Sequence, residues 1–169
     1  LGPLRSRTQL LEFDINQRPV DIVEALLEQN PRIVGLGVYI WNVSPTTEVV
    51  AALKRIRPDL IVILGGPEVS HETAQQEIVR LADHVITGEA DLKFAEVCGQ
   101  LLAGAPGRPV PSNPAIEARR TGSGAAYPAL PKIIPAPLPE FTQLALPYAF
   151  YDAQDIAHRI LYVEASRGC

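Results

Sequence analysis

The chain has 169 residues, 47% of them hydrophobic, with a formal charge of −4 and a pI near 5.4. That is ample for one packed domain with an extension, and the absence of a basic stripe argues against a nucleic-acid partner. The longest apolar runs, such as Ile61 to Leu64, are too short to cross a bilayer, so no membrane partner is expected.

No secretory signal is visible. Cys98 and Cys169 lie far apart, which predicts no disulfide framework and a reducing cytoplasm. The chain holds no Met and closes on a Cys directly after a strand-like run, which predicts a piece of a longer protein.

Thr8 to Phe13, rich in Leu and Phe, reads as a first short strand. Pro19 to Gln29 reads as a helix: Pro19 suits a first turn, Asp21 and Glu24 sit near the N-terminal end, and Ile22, Val23, Leu26 and Leu27 make one apolar face. Asn30-Pro31 closes it. Ile33 to Ile40 is a nearly continuous apolar run that fits a strand buried on both faces.

Ser44-Pro45-Thr46 opens a second helix with Val49, Val50, Leu53 and Ile56 on its apolar face, and Pro58 ends it. Leu60 to Leu64 is a second buried strand, ending at Gly65-Gly66-Pro67. A helix is expected over His71 to Ala82, a strand near 84–87, and a helix over Ala90 to Leu102. Strands alternating with helices predict an α/β fold, an open doubly wound parallel sheet of Rossmann-like or flavodoxin-like type.

Between Gly104 and Pro147 lie ten of the sixteen prolines, with a small polar bead from Thr121 to Ala126. Proline removes backbone donors, so a linker without a regular ladder is expected here. Pro139 to Tyr148 has room for a helical turn. Ile160 to Val163 restarts a strand. The expected division is an α/β domain over 1–103, a linker over 104–158 and the start of a further domain over 159–169.

Ligands of open parallel sheets bind outside the carboxyl ends of the strands. Three such ends carry informative residues: Tyr39-Ile40-Trp41-Asn42-Val43-Ser44, Gly65-Gly66-Pro67-Glu68-Val69-Ser70, and Thr87-Gly88-Glu89-Ala90. Glycine lets backbone approach a ligand closely, and helix N-termini offer unpaired N–H groups. Each segment also has a plain reading. Gly65-Gly66-Pro67 serves equally well as a turn, and Trp41 as core. Glu89 and Asp91 suit the start of a helix. His71 reads as a polar helix-start residue, His84 and His158 lack ligand partners at suitable spacing, and Cys98 reads as buried core. No Gly-x-Gly-x-x-Gly and no phosphate loop ending in Gly-Lys-Ser/Thr is present, which counts against ordinary dinucleotide or triphosphate binding.

Together, the segments at Tyr39–Asn42, Gly65–Glu68 and Gly88–Asp91 resemble the cobalamin-binding domain that precedes many radical S-adenosylmethionine enzymes. Ile160 to Cys169, ending Ser-Arg-Gly-Cys, resembles the first barrel strand of that superfamily, where this motif opens a Cys-x3-Cys-x2-Cys loop. The resemblance implies cobalamin held by Tyr39, Trp41, Asn42, Val43, Gly65, Gly66, Pro67, Glu68, Gly88 and Glu89. It implies Cys169 as one of three thiolates on a 4Fe-4S cluster that binds S-adenosylmethionine in the complete protein, possession of a C-terminal radical barrel as partner, and an activity such as methyl transfer. One thiolate cannot assemble that cluster, so this piece is expected to be catalytically incompetent.

Two departures stand beside the resemblance. The Asp-x-His-x-x-Gly motif, whose His ligates cobalt in the mutases and methionine synthase, is absent; many members of the radical family lack it as well. The sheet is also expected to lack its usual first strand. A degenerate domain that only scaffolds the barrel or recruits substrate keeps the same fold without the cofactor. A receiver-like domain is disfavoured, because the strand ends carry neither the Asp nor the Lys of an acidic pocket.

Overall fold

The computed structural model describes residues 2–103, 130–144, 148 and 151–158. The expected polar bead, the strand over 160–163 and Cys169 lie outside the described residues.

Four parallel strands form one sheet in the order β1 (Ile33–Gly37), β2 (Ile61–Gly65), β3 (His84–Gly88), β4 (Ile133–Ala136). The Ile/Val/Leu runs become strands because both faces are covered. On one face pack α1 (Pro19–Glu28), α2 (Val43–Ile56) and α3 (Glu77–Leu81), which enclose Val34, Val62, Leu64 and Val85. On the other packs α4 (Ala90–Ala103), whose Val97, Cys98 and Leu101 cover Ile61, Ile63, Ile86 and Ile134. The alternation of side chains along each strand sorts these residues to opposite layers.

Helix α1 begins as its sequence dictates. Pro19 occupies the first turn, and Arg18 reaches Asp21 with a two-pronged ion pair, Nε to Oδ2 at 2.9 Å and Nη2 to Oδ1 at 2.6 Å. The guanidinium holds the Asp21 carboxyl below its ordinary range. At the amino ends of the strands, Lys54 Nζ donates to both oxygens of Asp83, at 3.0 and 2.9 Å, and to Leu60 O at 2.8 Å. Asp83 Oδ2 also accepts from Val62 N at 2.7 Å, so this largely buried pair ties α2 to the sheet.

The structure ends the first strand at Gly37, short of the expected Ile40, because the chain bends there into an exposed turn, and it corrects the expected elements in three further places. Thr8 to Phe13 forms no strand. A 3-10 helix over Gly2–Arg7 leads into irregular backbone, from which Leu11 and Phe13 pack onto the α1/α2/β1 cluster. The Leu/Phe composition reported burial, and burial does not require pairing. The single helix expected over 71–82 is instead two 3-10 turns, Glu68–Ser70 and Thr73–Gln75, followed by the short α3. Glu72 between them takes φ 45°, which an α-helix cannot accommodate.

The third correction falls in the Pro-rich stretch, where a regular ladder was not expected: Ile133–Ala136 pairs with β3 over four residues. Pro135 is tolerated because β4 is an edge strand, with Val85 N donating to Lys132 O at 2.7 Å to start the ladder. Lys132 Nζ then donates to Arg80 O and Ala82 O, each at 2.9 Å, fastening β4 to the end of α3.

The chain divides into two compact units, 1–137 and 138–169. In the second, a 3-10 turn at Phe141–Gln143 matches the helical turn expected near Pro139 to Tyr148. Helix α5 (Ala153–His158) starts at Asp152, whose Oδ1 accepts from Gln154 N and Asp155 N, both at 2.8 Å. Asp155 Oδ2 returns the favour to Asp152 N at 3.1 Å. No helix among the described residues is long and apolar enough to cross a membrane.

Candidate functional site

The carboxyl ends of β1, β2 and β3 lie side by side and bring the candidate residues together. The chain leaving β1 bends at once. Asn42 locks that bend, its Oδ1 accepting from Tyr39 N at 2.8 Å and its Nδ2 donating to Gly37 O at 3.0 Å. The locked turn presents Tyr39 and Trp41 with their rings stacked, centroids 4.7 Å apart and planes within 8°. Both rings stay open to solvent, Trp41 at 62% exposure, and Ile40 beside them at 74%. Trp41 is therefore not core. Asn42 holds the turn with the same amide that the sequence reading turned towards a ligand.

The turn after β2 nests on β1. Val38 N donates to Gly65 O at 2.7 Å, and Glu68 N donates to Val38 O at 3.3 Å. Gly66 has φ 109°, and a Cβ there would lie 2.4 Å from Val38 O. Gly88, ending β3, has φ 79°, and a Cβ there would lie 2.5 Å from Ala136 O. Packing of neighbouring backbone thus accounts for both glycines. Gly65 differs: a Cβ would meet Ala90 Cβ at an ordinary 3.6 Å.

The two glycine turns stand at neighbouring strand ends. The chain leaving β2 passes to α3 on one face of the sheet, and the chain leaving β3 passes to α4 on the other. The two connections therefore part beyond the strand ends. The β2–β3 register covers only Ile63–His84 and Leu64–Val85, against five pairs for β1–β2. Across the gap stands Ser70. Its hydroxyl donates to Gly66 O at 3.0 Å and accepts from Gly88 N at 3.1 Å. Sequence reading placed Ser70 in the segment but gave it no role; a hydroxyl four residues past a strand-end glycine was the available signal.

Pro67 is exposed and leads the 3-10 turn of Glu68 to Ser70, anchored by fully buried Val69. Glu68 and Glu89 are half-buried. An open cleft of ≈ 550 Å³ between the start of α2 and the β2–α3 loop takes in Val43 and Glu68 from the candidate set, with Thr47, His71 and Gln76. Gln76 Nε2 donates to Glu68 O and His71 O, both at 2.8 Å, which fixes the loop; its Oε1 is buried with no partner among the described residues.

His71 is exposed, in keeping with a polar loop residue. His84 is buried, and its Nδ1 lies 3.0 Å from Pro131 O, an acceptor only, so that nitrogen carries the proton. Cys98 is buried in the α4 layer, and burial pushes its thiol up to about 11. Among the described residues, no group of three or more His, Cys, Asp or Glu side chains is arranged to hold a metal ion.

A parallel α/β sheet with an exposed aromatic stack and two tight glycine turns at its carboxyl edge defines a nucleotide- or cofactor-binding class of domain. The sequence matches the B12 binding domain family over residues 5–98, and the chain belongs to that family. It is similar to a 2-(S-pantetheinyl)-carbapenam-3-carboxylate methyltransferase of Streptantibioticus cattleyicolor, 28% identical over 53% of this chain and 14% of that protein. It is also similar to the cobalamin-dependent radical SAM methyltransferase TokK of Streptomyces tokunonensis, 26% identical over 73% of this chain and 19% of that protein. The chain therefore spans no more than about a fifth of the length of these curated relatives. Among solved structures, the N-terminal domain of a hypothetical protein from Thermotoga maritima aligns over 80% of this chain and 85% of that one, with 18% identity and a TM-score of 0.45.

Proposed function

We propose that residues 1–137 bind cobalamin as the cofactor-binding region of a radical S-adenosylmethionine enzyme, a methyltransferase by likeness to its relatives. The reading rests above all on the solvent-facing Tyr39–Trp41 stack at the carboxyl ends of β1 to β3, in a chain of the B12 binding family. A corrin is a broad, largely apolar plate edged with amide arms. It fits an open aromatic surface flanked by backbone N–H and C=O groups and by the half-buried Glu68 and Glu89.

In this arrangement Tyr39 and Trp41 face the corrin and Asn42 holds their turn. Gly65, Gly66, Pro67 and Gly88 form the strand-end turns beside it, and Val43 lies at the start of α2. Bound cobalamin would supply methyl-transfer chemistry, and the residues here would bind and orient it. In the parent protein, residues from 159 onward begin the radical barrel, and Cys169 is a ligand of a 4Fe-4S cluster that engages S-adenosylmethionine.

Trp41 is the only Trp in the chain, so the site carries its own reporter. Titration with hydroxocobalamin should shift the corrin absorption and quench Trp41 fluorescence along one saturation curve. Trp41→Ala should weaken binding about tenfold. No spectral shift at high micromolar cofactor would sink the proposal. The scaffold reading would then stand, and one observation already favours it: the backbone conformations of Gly66 and Gly88 are explained without a ligand.

A further inference from the structure

We infer that Ser70 is a positioning residue of the proposed cofactor site: its hydroxyl sets the spacing of the two glycine turns at the carboxyl edge that a bound ligand must meet. The inference rests on the cobalamin reading and adds to it a residue that contacts the site through others.

β2 and β3 stay in register as far as Leu64 and Val85. Beyond that point one chain turns to α3 and the other to α4, on opposite faces, so the strand ends are free to separate. Gly66 is seated on Val38, and Gly88 on Ala136. These contacts fix each turn to its outer neighbour, β1 on one side and β4 on the other. Neither contact fixes one turn to the other.

The Ser70 hydroxyl makes that connection. It has one proton to give, and Gly66 O receives it at 3.0 Å; it has lone pairs to offer, and Gly88 N–H donates to one at 3.1 Å. Its position is itself over-determined. Ser70 N donates to Pro67 O at 3.1 Å, and the adjoining Val69 is wholly buried in the α2/α3 core. Gln76 holds the same loop from the far side through Glu68 O and His71 O. A short side chain on an anchored turn loses little freedom in making two hydrogen bonds, so the spacing is set before any ligand arrives.

The test compares the whole 169-residue chain with Ser70→Ala, Ser70→Cys and Ser70→Thr. Affinity for hydroxocobalamin is read from the corrin absorption, and exchange of the Gly88 amide proton from heteronuclear NMR. Ser70→Ala should speed Gly88 exchange and weaken cobalamin about tenfold, a change of about 1.4 kcal/mol. Ser70→Thr, which keeps the hydroxyl, should restore both. Ser70→Cys matches Ser in shape but bonds weakly, and should behave like Ala. It keeps the comparison with Thr decisive if Ser70→Ala does not fold. Faster Gly88 exchange with unchanged affinity would make Ser70 a merely structural link and overturn the inference, as would equal affinity in the Cys and Thr forms. If the unaltered chain does not bind hydroxocobalamin, it is the cobalamin reading that fails, and with it any cofactor role for Ser70.

Discussion

At the scale of single residues, three glycines that look alike in sequence have different duties. Gly66 and Gly88 hold positive φ with a neighbour's carbonyl where a Cβ would go, so Gly66→Ala and Gly88→Ala should each cost about 2 kcal/mol or more in urea unfolding. Gly65 has room for a methyl group against Ala90, and Gly65→Ala should fold normally. Loss of cobalamin affinity in Gly65→Ala then reports on the site, whereas loss in the other two reports on the fold. Cys98 makes a separate case. Its thiol ionises near 9.0 when unfolded and at about 11 when buried, so the folded state retains the proton longer. The contribution of Cys98 to folding stability should therefore be fully present below pH 9 and be lost between about pH 9 and 11. In a Cys169→Ser chain, Cys98 should resist a disulfide reagent at pH 8 until urea exposes it; rapid labelling of the folded chain would contradict this burial.

At the scale of elements, the sheet is pinned at its two ends by different chemistry. At the amino ends, the Lys54–Asp83 pair joins α2 to β2 and to the turn before β3. Removing one partner leaves a largely buried charge uncompensated, so Lys54→Met should lower stability by about 3 kcal/mol in urea unfolding. That variant lies at the opposite edge from the candidate site, and its affinity for hydroxocobalamin should stay at the unaltered value while the protein is folded. At the carboxyl ends, hydrogen bonds from Asn42 and Ser70 stand where ladder pairing has ended. Backbone outside a ladder needs side-chain partners, and these two side chains shape the turns that carry Trp41, Gly66 and Gly88.

At the scale of the whole molecule, the chain contains two cysteines, and one of them is core. Three thiolates are needed for a cluster with an open iron site. Anaerobic iron–sulfur reconstitution of these 169 residues should give no four-iron absorption; on the proposed reading of the tail, a longer protein that carries it should give that absorption and lose it on Cys169→Ala. A parent protein whose cluster and S-adenosylmethionine cleavage survive that substitution would refute the assignment of the tail.

What the sequence determined by itself was set by burial and period. The apolar runs at 33–40 and 60–64 and the short Val85-Ile86 pair, set between helical repeats, specified a parallel sheet, because strands covered on both faces are built that way, although the first strand ends at Gly37 and Ile40 lies exposed beyond it. That the three glycine- or aromatic-bearing strand ends share one edge was legible for the same reason, since a parallel sheet places them there. What the sequence could not determine depended on partners distant along the chain. Thr8 to Phe13 has strand composition but found a helix pair to pack on instead of an edge to join. Ile133 to Ala136 lies among prolines, yet the open edge of β3 took it as a fourth strand. Tertiary structure alone showed that Gly66 and Gly88 answer to Val38 and Ala136, and that Ser70 spans the gap between them. Pairing, close backbone contact and a hydroxyl bridge across 18 residues are set by which surfaces meet, and local pattern carries no record of that.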